Sequence, residues 1–152
     1  MNIGISPNDT AVMPTAGTIR HSIDIEASVA SVFRHCAQFQ DLPDIFPTLR
    51  EVVPLDPNGV RHRFTVANPA GLAWDSEITE LSPDRRIGWR NLSGFVEAGQ
   101  LTLLALSDHA TEVQLELQCR DVNAIRAGVR DGLARLKGYV EFRNEDSNQR
   151  GF

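Results

Sequence analysis

Apolar residues near the end of the chain follow a different period from those before them, and this contrast limits the folds open to the protein. From residue 122 to residue 140 they recur at steps of three and four, which predicts a helix of about six turns. Its apolar stripe consists of Val122, Ile125, Val129, Leu133, Leu136 and Val140. Asp121 precedes the stripe and is placed to cap the helix. A helix with one apolar face needs a second layer to cover that face.

Residues 72–91 show the other period, in which apolar and charged side chains alternate. Both tryptophans of the chain lie here, Trp74 before a Ser-Pro-Asp sequence and Trp89 after it. Alternation at every second residue predicts two strands, each with an apolar inner face and a charged outer face. The Ser-Pro-Asp sequence predicts the turn between them, and Glu77 and Arg90 are expected to face each other across the pair.

The same alternation predicts five further strands. They cover residues 18–27, 50–55, 60–66, 100–107 and 111–119. An Asn-Gly pair separates the second of these from the third, which is a strong hairpin signal. An Asp-His pair separates the last two, and residues 93–99 are predicted to form a loop.

Two short helices are predicted between the first two strands. Ser28 can cap the first of them, and Pro43 and Pro47 restrict the second to a short turn. The chain is therefore expected to be an α+β protein with a seven-stranded antiparallel sheet. A sheet with one apolar face must cover it, and only the C-terminal helix is long enough to do so.

Length and charge restrict the domain organisation and the partners. The 152 residues suit one domain at 18–145, with a flexible leader at 1–17 and a polar tail at 146–152. A net charge of -5 argues against nucleic-acid binding, which requires a basic face. No apolar run is long enough to span a membrane and no signal peptide is apparent, which predicts a cytoplasmic, bacterial-type protein. Either a monomer or a homodimer is compatible with the sequence.

No motif for a metal, a phosphate or a nucleophile is present, so no metal or cofactor is expected. Cys36 and Cys119 lie far apart without a metal-binding spacing and are expected to be reduced, buried thiols. Any chemistry must therefore come from ordinary polar side chains inside an apolar site.

Four segments resemble one known superfamily and together extend over nearly the whole predicted domain. They are "IDIEASVASVF" at 23–33, "LPDIFPTLREV" at 42–52, "WDSEITELSPDRRIGWRNLSG" at 74–94 and "GLARLKGYVE" at 132–141. They are similar to the SRPBCC, or START-like, superfamily, and in particular to the bacterial polyketide cyclase/dehydrase type. The resemblance implies a helix-grip fold, in which the sheet curves around the long C-terminal helix and encloses a deep apolar cavity. Relatives hold lipids, sterols, quinones, plant metabolites or polyketide intermediates there.

One departure from the superfamily pattern bears on that cavity. The connection from the last strand to the last helix, residues 118–123, is shorter than in many relatives. This connection influences how large the cavity is and how it closes.

Strand parity and helix spacing nominate the residues that would line such a cavity. The apolar walls are predicted to be Phe64, Trp74, Trp89, Leu101, Leu103, Val129 and Leu133. The polar selectors are predicted to be His21, His62, Ser76 and Asn91. His21 and His62 are also the candidates for proton transfer, because imidazole titrates near neutrality. Structural histidines and tryptophans that only pack in the core remain the alternative interpretation.

Three classes of function follow from this interpretation. The first is a module that binds a small hydrophobic ligand, such as a lipid, a quinone or a polyketide-like molecule. The second is a polyketide cyclase, aromatase or dehydratase that folds a bound reactive chain and excludes water. The third is a protein-interaction domain, which an exposed apolar patch would favour.

Overall fold

The structure is a computed structural model that describes residues 13–67 and 72–150, with side chains described as far as residue 144. The strands in these ranges are β1 (Gly17–Ile25), β2 (Leu49–Pro54), β3 (Arg61–Val66), β4 (Ala73–Ser82), β5 (Arg86–Asn91), β6 (Val96–Ser107) and β7 (Ala110–Cys119). The helices are α1 (Val29–Ala37), a 3₁₀ turn (Phe39–Asp41), α2 (Leu42–Ile45) and α3 (Val122–Arg150). The predicted order of elements and the α+β class are confirmed.

The strands form one antiparallel sheet in the order β1-β7-β6-β5-β4-β3-β2. β4 and β5 are the two predicted strands that carry the tryptophans. Their register places Glu77 opposite Arg90, and Arg90 Nη2 donates a 3.0 Å hydrogen bond to Glu77 Oε1. Register shifts in β2, β4 and β6 mark bulges, which bend and twist a strand and so help the sheet to curve.

The start of β6 corrects one prediction. Residues 96–99 were expected to belong to a loop, but β6 begins at Val96. Gly99 lies opposite Trp89 and Leu117, and a Cβ at Gly99 would overlap the indole and stand 2.8 Å from Leu117 Cδ2. The glycine lets the indole lie flat across β6, so a residue with weak strand propensity is required inside the strand.

The short helices form where the sequence predicts them. Ser31 N donates a 3.2 Å hydrogen bond to Ser28 Oγ, which caps α1. A proline stands in the first turn of α2, and the backbone is extended again at Phe46, so that α2 has only four residues. The predicted hairpin turn between β2 and β3 contains Gly59 at a φ of 68°, a left-handed value that glycine adopts without strain.

Helix α3 covers one side of the sheet. It packs along β1 and contacts α1 and α2. Val122, Val129, Leu133, Leu136 and Val140 of the predicted stripe are buried, and Ile125 is partly buried. Gly132 faces α2, where Phe46 Cε1 lies 3.7 Å from the position of an added Cβ.

The ends of the chain extend the predicted elements. Helix α3 continues to Arg150, well into the range predicted as a polar tail. Residues 1–12 of the predicted leader and residues 151–152 of the tail lie outside the described residues. No helix in the described ranges combines the length and the apolarity that crossing a membrane requires.

Two clusters of buried side chains form the core. The larger joins the three helices to β1, β5, β6 and β7, and the smaller joins the start of α3 to β1 and β7. Among the described residues, neither cluster includes a member of β2, β3 or β4. Cys36 and Cys119 are buried free thiols, and burial raises the pKa of Cys36 to about 12. Both clusters therefore lie under one side of the sheet, and Val52 of β2 is buried outside them at 3% exposure.

Candidate functional site

Three buried polar side chains form a row across the inner face of the sheet, the face that is turned toward α3. His62 of β3 lies opposite Ser76 of β4, and Ser76 lies opposite Asn91 of β5. Their exposed fractions are 3%, 2% and 8%. Alternation of side chains along each strand places all three on the same face as the tryptophans. This polar row brings together three of the four predicted polar selectors.

Ser76 and Asn91 satisfy each other. Ser76 Oγ donates a short hydrogen bond to Asn91 Oδ1, and Asn91 Nδ2 donates to the carbonyl oxygen of Val96 at 3.2 Å. Arg120 supports the same loop from the other side: its guanidinium donates to the carbonyl oxygens of Gly94 and Val96 at 3.0 Å and of Asn91 at 3.1 Å. Arg120 was not predicted as a site residue, because no local pattern reveals that the end of β7 reaches the loop after β5.

His62 differs from its neighbours because its Nδ1 has no hydrogen-bond partner among the described residues. Phe39 of the 3₁₀ turn packs its ring against the imidazole at a centroid distance of 4.9 Å and an interplanar angle of 66°. Burial lowers the pKa of His62 below its usual value, and the nearby Asp56 carboxylate opposes this only in part. The imidazole is therefore neutral at pH 7.

An aromatic pair lies one step along the strands from His62 and Ser76. Phe64 and Trp74 are register partners, and their rings stack at 5.4 Å with an interplanar angle of 6°. Both side chains are only partly buried. A depression of about 390 Å³ beside Trp74 is lined by Arg63, Ala73, Trp74, Asp75, Leu92 and Ser93. Strand alternation places Arg63, Ala73 and Asp75 on the outer face, so this depression is not a pocket of the inner face. On the inner face, the two partly exposed rings offer aromatic carbon beside the polar row.

The other predicted wall residues belong to a different environment. Leu103, Val129 and Leu133 are 5%, 7% and 6% exposed and are members of the core clusters. Trp89 and Leu101 are partly buried and pack against those clusters. The structure therefore separates the predicted walls into packed core residues under α3 and accessible aromatic residues near the polar row.

His21 lies far from the polar row. It belongs to the edge strand β1, five strand spacings from β3, which is about 24 Å across the sheet. It lines a separate depression of about 560 Å³ together with Arg20, Ser22, Gln100, Thr102, Gln114, Leu115 and Glu116. His21 and His62 are therefore not brought together and do not form an acid–base pair at one ligand.

The described residues contain no group of three or more His, Cys, Asp or Glu side chains that could hold a metal ion. What the polar row can do is bind a neutral polar group or move a proton, since the imidazole is neutral at physiological pH. Both possibilities rely on an apolar surface beside it that a ligand can reach.

The antiparallel sheet curved around a long C-terminal helix defines a START-like, helix-grip protein. The chain belongs to the family described as "Polyketide cyclase / dehydrase and lipid transport", whose sequence model matches residues 16–143. The predicted superfamily and its cyclase/dehydrase type are confirmed.

Solved structures with the same fold include three informative relatives. A structural-genomics protein from Deinococcus radiodurans is 30% identical, with a TM-score of 0.65 over 83% of this chain and 98% of that one. The di-domain ARO/CYC protein BexL from the BE-7585A biosynthetic pathway is 26% identical, with a TM-score of 0.72 over 82% of this chain and 46% of BexL. A START superfamily protein from Mycobacterium smegmatis is 14% identical, with a TM-score of 0.69 over 87% and 99%. At that identity, the last likeness concerns the fold alone.

Proposed function

We propose that the protein binds a small hydrophobic molecule against the inner face of β3, β4 and β5. The observation that carries this proposal is the combination of accessible aromatic side chains with a buried polar row. Phe64 and Trp74 stay partly exposed on the inner face, next to a histidine that is 3% exposed. Ligand sites in proteins are mostly apolar, with a few convergent polar groups that fix orientation.

The energetics favour an apolar ligand at this position. Covering exposed aromatic carbon contributes about 25 cal/mol for each Å² removed from water. The stacked, partly exposed rings of Phe64 and Trp74 present such carbon, which suits a planar or chain-like molecule. The family description names both polyketide chemistry and lipid transport, and it supports a lipid, quinone or polyketide-like ligand.

Native mass spectrometry of the gently purified protein tests this proposal, followed by solvent extraction of any bound molecule. In parallel, the protein is titrated with Nile red, a neutral planar dye whose emission rises in apolar surroundings. A copurified hydrophobic molecule, or saturable Nile red binding at one site per chain, is the expected result. An empty protein that also fails to bind the dye would contradict the proposal.

Two single-tryptophan variants locate the ligand. Trp89→Phe leaves Trp74 as the only reporter, and Trp74→Phe leaves Trp89. Because Trp74 lies in the stacked pair beside the polar row, bound Nile red is expected to quench Trp74 more strongly than Trp89. Stronger quenching of Trp89 would move the site toward the core under α3.

A second candidate is catalysis of polyketide cyclisation, favoured by the neutral imidazole beside the apolar surface and by the 26% identity to an ARO/CYC protein. In such a step, a base removes a proton from a methylene carbon between two ketones. The carbanion then adds to a distant ketone, which closes the ring and leaves an alkoxide. His62 would accept the first proton and return it to this alkoxide. It would then remove the second proton of the same carbon and pass it to the hydroxyl group, which leaves as water while a carbon–carbon double bond forms.

Turnover of a synthetic poly-β-ketone thioester separates the two candidates. For a cyclase, His62→Gln is expected to lower kcat by about 10²–10⁴-fold with little change in KM. For a binding protein, neither the wild type nor the variant accelerates cyclisation over the rate in buffer.

A further inference from the structure

We propose that the ligand carries a hydroxyl group that hydrogen-bonds to Nδ1 of His62, and that the ring of Phe39 moves aside to admit it. This inference rests on the proposed binding function and adds the chemical class of the ligand. It places a planar, hydroxylated ring system, such as a phenol, against the inner face of β3 and β4.

The buried polar atoms of the row differ in whether they have hydrogen-bond partners. Ser76 and Asn91 hydrogen-bond to each other, and Asn91 also donates to a backbone carbonyl. His62 Nδ1 is the buried side-chain nitrogen or oxygen atom that lacks a partner in the described part of the chain. Buried polar atoms in native proteins are nearly always paired, and exceptions frequently mark functional positions. A ligand group is the partner that the protein itself does not supply.

A hydroxyl group is the ligand group that best matches the hydrogen-bonding capacity of His62 Nδ1. A neutral imidazole presents Nδ1 either as an acceptor or as an N–H donor, depending on its tautomer. A hydroxyl group pairs with both, because it donates one hydrogen bond and accepts others. Ser76, opposite His62, donates its hydroxyl hydrogen to Asn91 Oδ1. Its Oγ can still accept a hydrogen bond from another group. The polar row thus offers two places where a ligand hydroxyl can bond.

Charge excludes the acidic alternative. Asp56 lies close enough to raise the pKa of His62 against the effect of burial. The same carboxylate would repel a negatively charged ligand, and a buried carboxylate without a countercharge is strongly disfavoured. A neutral hydroxyl group is not repelled by Asp56 and does not carry the energetic cost of a buried charge.

The stacked rings of Phe64 and Trp74 lie two residues along the strands from His62 and Ser76, a distance of about 7 Å. A flat ring system placed on these rings can therefore extend its hydroxyl group to Nδ1. An aliphatic alcohol would form the hydrogen bond but would gain less from the aromatic surface.

A ligand can reach the imidazole of His62 only if the ring of Phe39 moves. Phe39 covers the imidazole from a turn of three residues, followed by a helix of four residues with a proline in its first turn. The turn at 39–41 has no side-chain cap, although Asp41 N donates a 3.0 Å hydrogen bond to the carbonyl oxygen of Gln38. Phe39 also packs against the edge of the larger core cluster, so the proposed movement exchanges these contacts for contacts with the ligand. The ligand ring then replaces Phe39 against His62.

A probe series tests the class of ligand: 2-naphthol, 2-methoxynaphthalene and naphthalene, each competed against Nile red. The wild type is expected to bind 2-naphthol at least about tenfold more tightly than either other probe, the usual order for one hydrogen bond to a buried group. In His62→Leu, this preference should disappear while naphthalene still binds. Circular dichroism and thermal unfolding confirm that each variant is folded.

Two matched substitutions identify the nitrogen. His62→Asn places an amide atom near the position of Nδ1 and is expected to keep most of the preference for 2-naphthol. His62→Gln places its amide near the position of Nε2 and is expected to lose it. If the Gln variant keeps the preference and the Asn variant loses it, the assignment to Nδ1 is overturned.

The outcomes separate this inference from the function on which it rests. If Nile red and all three naphthalenes bind the wild type, but with equal affinity, the hydroxyl assignment is overturned and the binding function stands. If neither the dye nor any naphthalene binds, the proposed function itself fails. A preference for 2-naphthol that persists in His62→Leu shows that the hydroxyl bonds elsewhere, and this also overturns the inference.

The proposed role of Phe39 as a cover over His62 is tested by the rate of ligand association. Phe39→Ala removes the ring over His62 and is expected to accelerate the association of 2-naphthol at least threefold in stopped-flow measurements. Phe33→Ala is the matched control, because Phe33 packs against the core from the neighbouring helix α1. An unchanged or slower association in Phe39→Ala, or equal acceleration in Phe33→Ala, overturns the role of Phe39.

Discussion

The strands at the two edges of the sheet pack against different neighbours on the inner face, the face that is turned toward α3. On the covered side, formed by β1, β7 and β6, the inner residues join helix side chains in closed clusters, and Ile25 and Val113 are 0% exposed. On the far side, formed by β2, β3 and β4, the inner face holds two members of the polar row and the stacked Phe64–Trp74 pair. The covered side therefore provides the packing that stabilises the fold, while the far side keeps two partly exposed aromatic rings on its inner face.

The widths of the two layers explain this difference. A helix with its side chains is about 10–12 Å wide, whereas seven strands with six spacings extend over about 29 Å. Helix α3 lies along β1, at one edge of the sheet. One helix cannot cover all seven strands, and the 3₁₀ turn and α2 contact β2 at the far edge. Val52, His62 and Ser76 are buried there, and the rings of Phe64 and Trp74 stay partly exposed.

The largest expected effect belongs to the covered side. Leu136→Ala deletes a side chain that is 3% exposed inside the larger cluster and should lower the free energy of unfolding by about 2–5 kcal/mol. Phe64→Ala on the far side deletes more atoms, but from a partly exposed ring, and should lower it by about 1 kcal/mol. Urea unfolding measures both. Equal losses would contradict the distinction between the two sides.

Gly99→Ala should have the next largest effect, because the new Cβ would overlap the Trp89 indole. Overpacking of this kind lowers the free energy of unfolding by about 1–3 kcal/mol. Gly128→Ala is the control: nothing lies within 4 Å of the added Cβ in the α3 helix, and the change should stabilise the protein by about 0.4–1 kcal/mol. The two midpoints in urea should therefore move in opposite directions.

Glu141 connects α3 to the edge of the covered side and adds a dependence on pH. Its carboxylate accepts hydrogen bonds from Glu26 N at 2.7 Å and from Lys137 Nζ at 2.6 Å. Burial alone would raise the pKa of Glu141, but the two hydrogen bonds and the positive charge of Lys137 together outweigh burial and hold the pKa below the usual value. Glu141→Gln should lower the free energy of unfolding by about 1 kcal/mol at pH 7.

The sign of this pH effect follows from linkage. A carboxyl group whose pKa is lower in the folded state stabilises the fold above its unfolded pKa, near about 4.3, and loses that contribution as the pH falls. The difference between wild type and Glu141→Gln should therefore be constant from pH 7 to 5 and shrink below pH 4. Glu97→Gln, at an exposed position of β6, is the control and should change little at any pH.

The smallest effect, and the one of opposite sign, is expected in the polar row. His62→Leu replaces a buried nitrogen without a partner by carbon, so the free energy of unfolding should stay unchanged or rise by about 1 kcal/mol at pH 7.5. Burial also lowers the pKa of His62 in the folded state, which destabilises the wild type as the pH falls below the ordinary value near about 6.5. The advantage of the variant should therefore grow between pH 6.5 and 5. A clear loss of stability at pH 7.5 would show that His62 has a structural partner.

Much of the fold could be predicted because strands and helices repeat locally. Alternation around Trp74 and Trp89 identified β4 and β5, and the apolar stripe identified α3 with its buried residues. The start of β6 was missed because Ala98 and Gly99 carry no strand signal; only the approach of the Trp89 indole from β5 requires a glycine there. That contact joins two strands and has no trace in the local pattern.

The candidate site could likewise be predicted only in part. Parity alone placed His62, Ser76 and Asn91 on the inner face, where the structure finds them buried. The separation of His21 from His62, the contact of Phe39 with the imidazole and the support from Arg120 all depend on strand order and loop packing. Strand order is decided by long-range pairing, which the period of a single strand does not encode.

The sequence by itself determined the order of the strands and helices along the chain, the superfamily and which side chains face inward, because each of these follows from local period and local motif. Tertiary structure alone decided which inward side chains are covered. Leu133 and Phe64 have similar apolar character, yet one lies in the packed core under α3 and the other stays accessible on the far side. The physical reason is geometric: a single helix is narrower than the sheet, and the edge along which it packs settles where packing ends and where a ligand surface begins.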